Sequence, residues 1–588
     1  MGPSKVSPSD CNRAVPTSTR SEGRSTAENE TSGTTWLDDY EYVIVGSGPG
    51  GGPVAARLAI AGFKVLAIDA GDDQGSTYQE QVPALSLKST EYGPMKWDYF
   101  VNHYQDEARQ EKDSKMTWQT PSGDLFVGIG APAGSAPLGI LYPRAGTLGG
   151  CSSHNALITV LPHDSDWTDI ADITGDTSWS PDNMRTYFEK LERNRYLPSS
   201  VIGHGYTGWL GTALTDLSLV VEDFKVLSLI VSAATAMGKS LVGIVIGTVV
   251  GLGEVLLRDL NAPGQVEEEG LYQVPLATAD STRNGPRNFI LDTANSVNAN
   301  GSRKYHLDIR LNTLVTKIRF TQNGTTPKAV GVDFLDGQSL YRADLRANNT
   351  FLQTMPDPCL TRWINGVTPA LKGAYATNGI AIAVIKKSSV AIDDPDLLIS
   401  GVPAYFPGYF PGYSNFAVKD ARHWSWIVLK AHSRNNAGTV KLHSTDPRDV
   451  PIINFNSFET GVTADDAAEK DLQAVYEGIE YAREAFKVLI PLDGSFSEVW
   501  PGPNVTTETE MKDFLKAEAW GHHASCTCPI GADDDTMAVL DSKFRVRGVQ
   551  GLRVVDASVF PKIPGFFIVL PIYIISEKAA DVIIQDAA

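Results

Sequence analysis

Residues 42–51 read YVIVGSGPGG, and this stretch decides the fold of the chain. Its apolar, β-branched start is typical of a buried strand, and Gly46, Gly48 and Gly51 then follow with the spacing Gly-x-Gly-x-x-Gly. In this spacing the first glycine permits a tight turn, the second lets the backbone approach a pyrophosphate, and the third lets the helix pack closely on the strand. The helical pattern that follows directs its free N–H groups toward the phosphates.

A second apolar run, residues 65–68, ends at Asp69. The acid stands about 20 residues beyond the glycines, where a carboxylate can accept a hydrogen bond from a ribose 2′-hydroxyl. A glycine triplet alone would be a weak signal. The complete strand–turn–helix–strand unit with its terminal acid predicts an α/β fold with a dinucleotide site.

Length and charge limit the function classes. The chain has 588 residues, 42% hydrophobic and 20% charged, so two or more large domains are expected. Its formal net charge of −19 disfavours nucleic acid or an anionic membrane surface as a partner. The five cysteines include a Cys526-Thr527-Cys528 pair, but no Cys/His set has zinc-finger spacing, so the sequence predicts no metal site.

The first 37 residues are rich in Ser, Thr, Gly, Glu and Arg and are predicted to be disordered. They lack the apolar core of a signal peptide. Glycosylation acceptor sequons nevertheless occur and would make an exported form a glycoprotein; they begin at Asn29, Asn300, Asn323, Asn348 and Asn504. Localisation therefore stays open.

One apolar stretch, residues 241–253, resembles a membrane span but is shorter than the roughly 20 residues that a span requires. It predicts a buried helix or a wall of the substrate pocket. The loop at residues 404–413, AYFPGYFPGY, predicts a structured loop rather than a lid over the substrate. The C-terminal third predicts a strand pair at 439–443 and 451–455, a helix at 465–486, and a buried parallel strand within 546–558.

Four blocks, in order, carry a specific resemblance to a known family. They are the glycine fingerprint at 46–51, the LGGCSSHN block at 148–155, the HHASCTC block at 522–528, and residues 548–564 with their VVDAS sequence. Together they resemble the glucose-methanol-choline (GMC) oxidoreductases, fungal-type members of which bind FAD. The similarity runs from about residue 40 to residue 588.

The resemblance implies a Rossmann-type FAD-binding domain built from discontinuous segments and an α+β substrate domain with a mostly antiparallel sheet. The FAD-binding domain would comprise residues 38–100, 140–170, 280–345 and 535–588. The substrate domain, with cap-like insertions, would comprise residues 171–279 and 350–534.

The resemblance also implies the residues that hold FAD. Besides the fingerprint glycines and Asp69, the flavin and pyrophosphate would be lined by Gly149, Gly150, Ser152 and Asn155. The backbone of Val315 would contact the adenine side, and Asp556 and Ala557 would close over the cofactor.

Chemistry in this family is the oxidation of a primary or secondary alcohol. A histidine takes the hydroxyl proton while hydride passes to flavin N5, and imidazole suits this task because its pKa lies near neutrality. Alignment of the block on Cys528 and Gly531 assigns the base to His523, with His522 beside it. Oxygen or another electron acceptor would then reoxidise the flavin.

The chain departs from the family pattern at two places. A second histidine or asparagine, expected opposite the first, is replaced by Phe567 beside Phe566, and a phenyl ring cannot accept a proton. A second family signature, expected after the strand at 330–334, is absent. Two alternatives therefore stay open: a flavin-retaining cyclase or dehydratase of secondary metabolism that catalyses no redox step, and a catalytically impaired homologue.

Overall fold

The computed structural model describes residues 36–241, 244–256, 259–321, 324, 326–337, 340–341, 357–420, 422–434, 436–458, 466–490 and 496–588. The predicted disordered segment at 1–37 lies almost entirely outside the described residues, as do the sequons at Asn29, Asn323 and Asn348. Residues Glu41–Ala588 form one compact unit, so the finer division into an FAD-binding and a substrate domain stays a prediction.

The strands are short, and many pair with distant parts of the chain. They are β1 (Tyr42–Val45), β2 (Val65–Ile68), β3 (Lys96–Val101), β4 (Thr117–Gln119), β5 (Leu125–Val127), β6 (Ala136–Ala145), β7 (Glu192–Asn194), β8 (Leu210–Thr212), β9 (Gly270–Tyr272), β10 (Thr278–Ala279), β11 (Thr282–Arg283), β12 (Leu307–Arg310), β13 (Thr313–Thr321), β14 (Lys328–Asp336), β15 (Ala383–Lys386), β16 (Leu397–Val402), β17 (Ser425–Lys430), β18 (Thr439–Lys441) and β19 (Ile452–Asn454).

The helices range from single turns to about six turns. They are α1 (Gly51–Ile60), α2 (Tyr78–Gln81), α3 (Ser86–Ser89), α4 (Glu107–Gln110), α5 (Asp164–Thr174), α6 (Pro181–Leu191), α7 (Leu217–Val221), α8 (Phe224–Ala236), α9 (Val249–Leu256), α10 (Pro286–Ala294), α11 (Pro358–Asn365), α12 (Pro369–Lys372), α13 (Tyr413–Ala417), α14 (Ala467–Lys487), α15 (Glu508–Glu518) and α16 (Val569–Ala587).

The predicted strand–turn–helix–strand unit is present. Strand β2 lies between β1 and β12 in a three-stranded parallel sheet, with Tyr42 opposite Val65 and Leu307 opposite Val65. All four residues of β2 are buried, as expected of a strand covered on both faces. Within the described part of the chain, β1 forms the edge of this sheet.

Helix α1 anchors the glycine turn to the core. Its buried face, with Val54 and Leu58, packs against α10 and the C-terminal helix α16. Burial of each such side chain stabilises the fold by about 1.5–3 kcal/mol. From α16, the hydroxyl of Ser576 donates to the carbonyl of Gly50 at 2.6 Å, and buried Glu577 pairs with Arg57 at 2.7 Å. The last helix of the chain thus holds the first turn.

The other sheets are mostly antiparallel, in agreement with the predicted fold class. One four-stranded sheet has the order β17-β16-β15-β9 and another the order β3-β6-β4-β5. The strand at 330–334 lies within β14, and pair β18–β19 and helix α14 confirm the predictions for the C-terminal third.

The predicted buried strand within 546–558 is wrong. Residues 552–555 form no ladder, because their backbone groups bond to neighbouring turns: Val546 N–H donates to Leu552, and Val554 N–H donates to Phe544. The segment ends in a short 3₁₀ turn, Ala557–Val559. The β-branched pattern is present, but the segments next to residues 552–555 are turns, so no strand is available to pair with them.

The apolar stretch at 241–253 is only partly buried, and its residues 242–243 lie outside the described chain. Helix α9 buries Leu252, Val255 and Leu256, whereas Val245 and Val250 are exposed. Among the helices that the structure describes, none combines the length and apolar content needed to cross a bilayer.

A buried charged group ties β7 to the loops beside it. His204 Nδ1 lies 2.9 Å from Glu192 Oε2, and its Nε2 lies 2.8 Å from Asp259 Oδ2. Burial opposes the charge on the imidazole, but the two carboxylates outweigh it and raise the pKa of His204 to about 9. An imidazolium between two carboxylates is therefore part of the folded state at neutral pH.

This group predicts a specific pH dependence of stability. Because the pKa of His204 rises from about 6.5 unfolded to about 9 folded, its contribution is full below pH 6.5 and is lost as the pH rises through 9. We expect about 2 kcal/mol, less than the full shift implies because Asp259 keeps contact with solvent. Urea unfolding at pH 6 and pH 9 measures it.

Replacement His204→Gln should lower stability at pH 6 and reduce the difference between the two pH values, because the titrating group is gone. Exposed His443 offers a matched control, since His443→Gln should leave both values near those of the wild type. An unchanged pH difference in His204→Gln would contradict the assignment.

Candidate cofactor and active site

The glycine turn leaves no room for side chains. Gly46 has φ +88°, which favours glycine, and a Cβ atom built at Gly51 would lie 2.1 Å from the carbonyl oxygen of Gly46. A Cβ atom at Gly50 would lie 1.7 Å from the carbonyl oxygen of Val555. Three of the glycines are thus required by turn geometry or by close backbone contact.

The second predicted glycine segment meets this turn directly. Gly149 and Gly150 both have positive φ, +92° and +59°, and lead into a 3₁₀ turn. A Cβ atom on Gly150 would lie 2.8 Å from the Cα atom of Gly48, and Gly149 N–H donates to Ser47 Oγ at 3.0 Å. The structure therefore brings the two segments together through their backbones, as the resemblance implied.

Asp69 is hydrogen-bonded to the same glycine turn. Its Oδ2 atom accepts the N–H and the hydroxyl of Ser47, and its Oδ1 atom accepts the Gly71 N–H at 2.9 Å. Burial, opposed by these hydrogen bonds, raises the pKa of Asp69. Oδ1 accepts one protein hydrogen bond and retains a lone pair for a ribose hydroxyl.

Val315 lies near the start of β13, and Asn155 lies at the end of the 148–155 block. Strand β13 starts where Thr313 N–H donates to the carbonyl of Asp69, which puts Val315 two residues from the ribose corner. Asn155 is held by buried Arg283, whose Nη1 donates to Asn155 Oδ1 at 2.7 Å. The Ser152 hydroxyl is turned inward onto the carbonyl of Gly149.

The C-terminal block runs alongside the histidine block. Cys526 N–H donates to Ala557 at 3.2 Å, and Cys528 N–H donates to Ser558 at 2.9 Å. Asp556 is exposed and caps the 3₁₀ turn through Ser558 N–H. Because Val555 touches Gly50, this backbone pairing connects the histidine block to the glycine turn.

His523 lies among other rings. Its centroid is 4.5 Å from that of His522 and 5.9 Å from that of Phe567. Burial, and then the charge of Arg144, lower the pKa of His523 to about 4, so the ring is neutral at physiological pH. His522 stacks on Trp520 and meets the edge of Tyr409, and its Nδ1 atom is buried without a hydrogen-bond partner.

Arg144 is a site residue that sequence reasoning missed. Its Nη2 donates to the hydroxyl of Tyr142 at 2.7 Å, and that oxygen also accepts the Ala524 N–H at 2.9 Å. Its Nη1 lies 3.5 Å from Cys151 Sγ. Burial opposes a thiolate, yet Arg144 and His154 lower the pKa of Cys151 to about 5. The only signal in the sequence was its position six residues before the 150–155 turn.

The two phenylalanines have different surroundings. Phe567 is half-buried and faces His523, as the alignment implied. Phe566 is buried on the other side, with its ring 5.0 Å from that of His163. Of the two residues, only Phe567 therefore contacts His523. The loop at 404–413 is structured, as predicted, with Phe406 and Tyr409 packed on Trp520.

The absent second signature falls at a gap in the description. Strand β14 ends at Asp336, and residues 342–356 lie outside the described chain, which resumes at Asp357 before α11.

The residues present fit a dinucleotide. The helix N-terminus at Gly51 and two glycine segments in backbone contact form a cradle that a single Cβ atom would fill, with one acid at the ribose end. The residues that would hold FAD are Gly46, Gly48, Gly51, Asp69, Gly149, Gly150, Ser152, Asn155, Val315, Asp556 and Ala557.

Comparisons with known proteins agree with this geometry. A family model described as GMC oxidoreductase matches residues 434–576. The oxygen-dependent choline dehydrogenase of Vibrio vulnificus is 25% identical, over 93% of this chain and 94% of the relative. The pyranose dehydrogenase of Agaricus campestris is also 25% identical, over 93% of each chain.

Solved structures show the same fold. A variant of the formate oxidase of Aspergillus oryzae RIB40, studied for FAD modification, has a TM-score of 0.69 at 17% identity and covers 94% of this chain and 99% of its own. A fungal aryl-alcohol oxidase has a TM-score of 0.60 at 15% identity, covering 94% and 100%.

The Gly50–Val555 contact predicts a cofactor phenotype. Replacement Gly50→Ala must push residues 555–556 away from the turn, at a cost of about 1–3 kcal/mol, and should release flavin. The ratio of absorbance at 450 nm to that at 280 nm in purified protein measures the loss. Gly331→Ala, in β14 with open space around its Cα, should keep the wild-type ratio. Equal ratios in both variants would contradict the cradle.

Proposed function

Because the chain belongs to the GMC oxidoreductases, we propose that it is an FAD-dependent enzyme that oxidises a primary or secondary alcohol with His523 as the base. The observation that carries the proposal is the setting of His523: its imidazole is neutral at physiological pH and faces Phe567, and the charge of Arg144 acts on it while the Tyr142 hydroxyl bonds both Arg144 and the Ala524 N–H. When bound, FAD supplies the acceptor for the hydride of the carbinol carbon.

His523 performs the proton step. Its pKa of about 4 keeps a nitrogen lone pair free at neutral pH, so it can take the hydroxyl proton of the substrate. Packing against His522 and Phe567 restrains the ring, which keeps the base oriented toward the bound alcohol.

Arg144 provides a fixed positive charge. Transfer of the hydroxyl proton to His523 leaves negative charge on the alcohol oxygen until the hydride departs, and a partly buried cation stabilises that charge more strongly than one in water. The hydroxyl of Tyr142 holds the guanidinium at a set distance from residue 524, so Arg144 acts on the same centre as His523.

The substrate wall favours an alcohol that carries an apolar or aromatic group. Phe567 faces His523, and Tyr409 and Trp520 pack against the adjacent His522. This lining fits an arylalkyl or alkyl alcohol better than a polyhydroxylated sugar.

The redox interpretation is favoured over the alternative of a cyclase or dehydratase. The relatives and solved structures named above are all called dehydrogenases or oxidases. Because these names include both oxidases and dehydrogenases, oxygen consumption against dye reduction is the assay that identifies the electron acceptor.

Anaerobic flavin reduction by a panel of aryl, alkyl and sugar alcohols tests the proposal. The flavin band should bleach with at least one alcohol, and His523→Ala should slow that bleaching by about 10²–10⁴-fold because the proton acceptor is lost. His443→Ala, which removes an exposed histidine, should bleach at the wild-type rate.

A loaded wild-type flavin that no alcohol bleaches would favour the non-redox enzyme. Wild-type bleaching that His523→Ala leaves unchanged would remove His523 from the proton step.

The charge of Arg144 predicts the acid limb of the pH profile. Flavin reduction should fall as the pH drops through about 4, where His523 becomes protonated. In Arg144→Gln the repulsion is gone, so the pKa of His523 rises and the acid limb moves to higher pH. Arg144→Lys keeps the charge and should keep the limb near that of the wild type. A limb that stays in place in Arg144→Gln would exclude the electrostatic coupling.

A further inference from the structure

A second group of titratable side chains lies outside the proposed active site, next to the segment that carries Phe566 and Phe567. His163 directly precedes α5, Asp166 belongs to the first turn of that helix, and His432 follows β17. One nitrogen of each histidine and one carboxylate oxygen lie within 4.8 Å of one another. These three residues are called the two-histidine cluster.

The carboxylate at the centre is held in a fixed orientation. Asp166 Oδ2 accepts the backbone N–H groups of His163 at 3.0 Å and Gly565 at 2.9 Å. Its Oδ1 atom is left to face His432 Nε2 at 3.0 Å. His163 Nδ1 lies 3.8 Å from Oδ2, and the two imidazole centroids are 4.8 Å apart. Three atoms that could bind a metal ion thus lie within 4.8 Å of one another.

His163 is the independent sign of a ligand. Its side chain is fully buried, and neither Nδ1 nor Nε2 has a hydrogen-bond partner among the residues that the structure describes. A buried polar atom left unpaired costs about 1–3 kcal/mol, and such atoms in native proteins point to an ion or water that satisfies them.

We propose that His163, Asp166 and His432 bind one divalent transition-metal ion, with zinc as the best match to two imidazoles and one carboxylate. Imidazole suits zinc, and three protein ligands with a water in the fourth position is an established arrangement for it. Zinc bonds of 2.0–2.1 Å put tetrahedral ligand atoms about 3.3 Å apart, so the observed spacing needs only small side-chain rotations.

The surroundings suit a cation and allow its entry. The side chain of His432 keeps 24% exposure, which gives the fourth ligand and the incoming ion a path from solvent. Asp394 and Asp396 lie near His163, and Lys430 Nζ lies 3.4 Å from Asp396 Oδ2. His432 also adopts φ +50°, an uncommon conformation for a residue with a Cβ atom.

Sequence spacing could not reveal this site. His163 and Asp166 are three residues apart, but His432 lies 266 residues beyond Asp166, so no zinc-finger pattern exists. The ion would connect the start of α5, the end of β17 and, through Gly565, the segment that carries Phe566 and Phe567. The site stands independently of the proposed alcohol oxidation.

Zinc binding to the full-length, flavin-loaded protein tests the proposal. After dialysis against a chelator, the protein is titrated with Zn²⁺ in competition with a chromophoric chelator, and bound metal is counted by mass spectrometry. The wild type should bind about one equivalent. Loss of a ligand in His432→Ala should weaken binding by at least about 100-fold, more than loss of an outer-sphere partner does. His443→Ala should bind as the wild type.

Asp166→Asn supplies a second variant. Its amide oxygen still accepts the two backbone N–H groups, so the local fold is kept while the ligand charge is lost. We expect the same weakening as in His432→Ala, with an unchanged circular dichroism spectrum. Absence of stoichiometric zinc in the wild type, or wild-type affinity in both ligand variants, would overturn the site.

Discussion

The architecture depends on close backbone contacts made at glycines, which have no side chain. Gly48 lies against Gly150, and Gly50 lies against the carbonyl of Val555, so three distant segments meet at the N-terminus of α1. A Cβ atom at Gly50 or Gly150 would meet backbone atoms at 1.7 and 2.8 Å, whereas one at Gly48 would make an ordinary contact, so steric closeness requires glycine at one position in each segment. Once the three segments meet, the free N–H groups of α1, the acid at residue 69 and the histidine block all face one region. Cofactor binding and chemistry are therefore consequences of the same steric constraint.

Charge at the site is organised around one buried guanidinium. Arg144 lowers the pKa values of both Cys151 and His523, and its position is fixed by the hydroxyl of Tyr142. The charge of Arg144 weakens His523 as a base, and this effect alone is unfavourable for proton abstraction. The same cation stabilises the negative charge that an alcohol and its acceptor develop during oxidation. At this site, stabilisation of the developing negative charge by Arg144 therefore outweighs the loss of basicity at His523.

The sequence predicted what is encoded locally. Strand β1, helix α1, strand β2 and Asp69 follow from periodicity, glycine spacing and one acid, and the structure has each of them. The strand expected within 546–558 failed because pairing depends on a neighbour that the sequence of that segment does not contain. Arg144 and the two-histidine cluster were missed for the same reason. Their chemistry arises from residues brought together by tertiary packing, and a single arginine or histidine in a sequence carries no sign of its burial or its partners.

Phe567 limits how the active site can work. Because a phenyl ring neither takes nor holds a proton, Phe567 cannot share the proton step that we propose for His523. A base with a pKa of about 4 releases a proton readily at neutral pH, so the proposed base is reset without a polar group at position 567. The same weak basicity gives proton transfer little driving force, so in the proposed reaction the charge of Arg144 has the larger part, which is to stabilise the developing negative charge. An apolar residue at position 567 is consistent with this division, since it excludes water from the carbon that gives up the hydride.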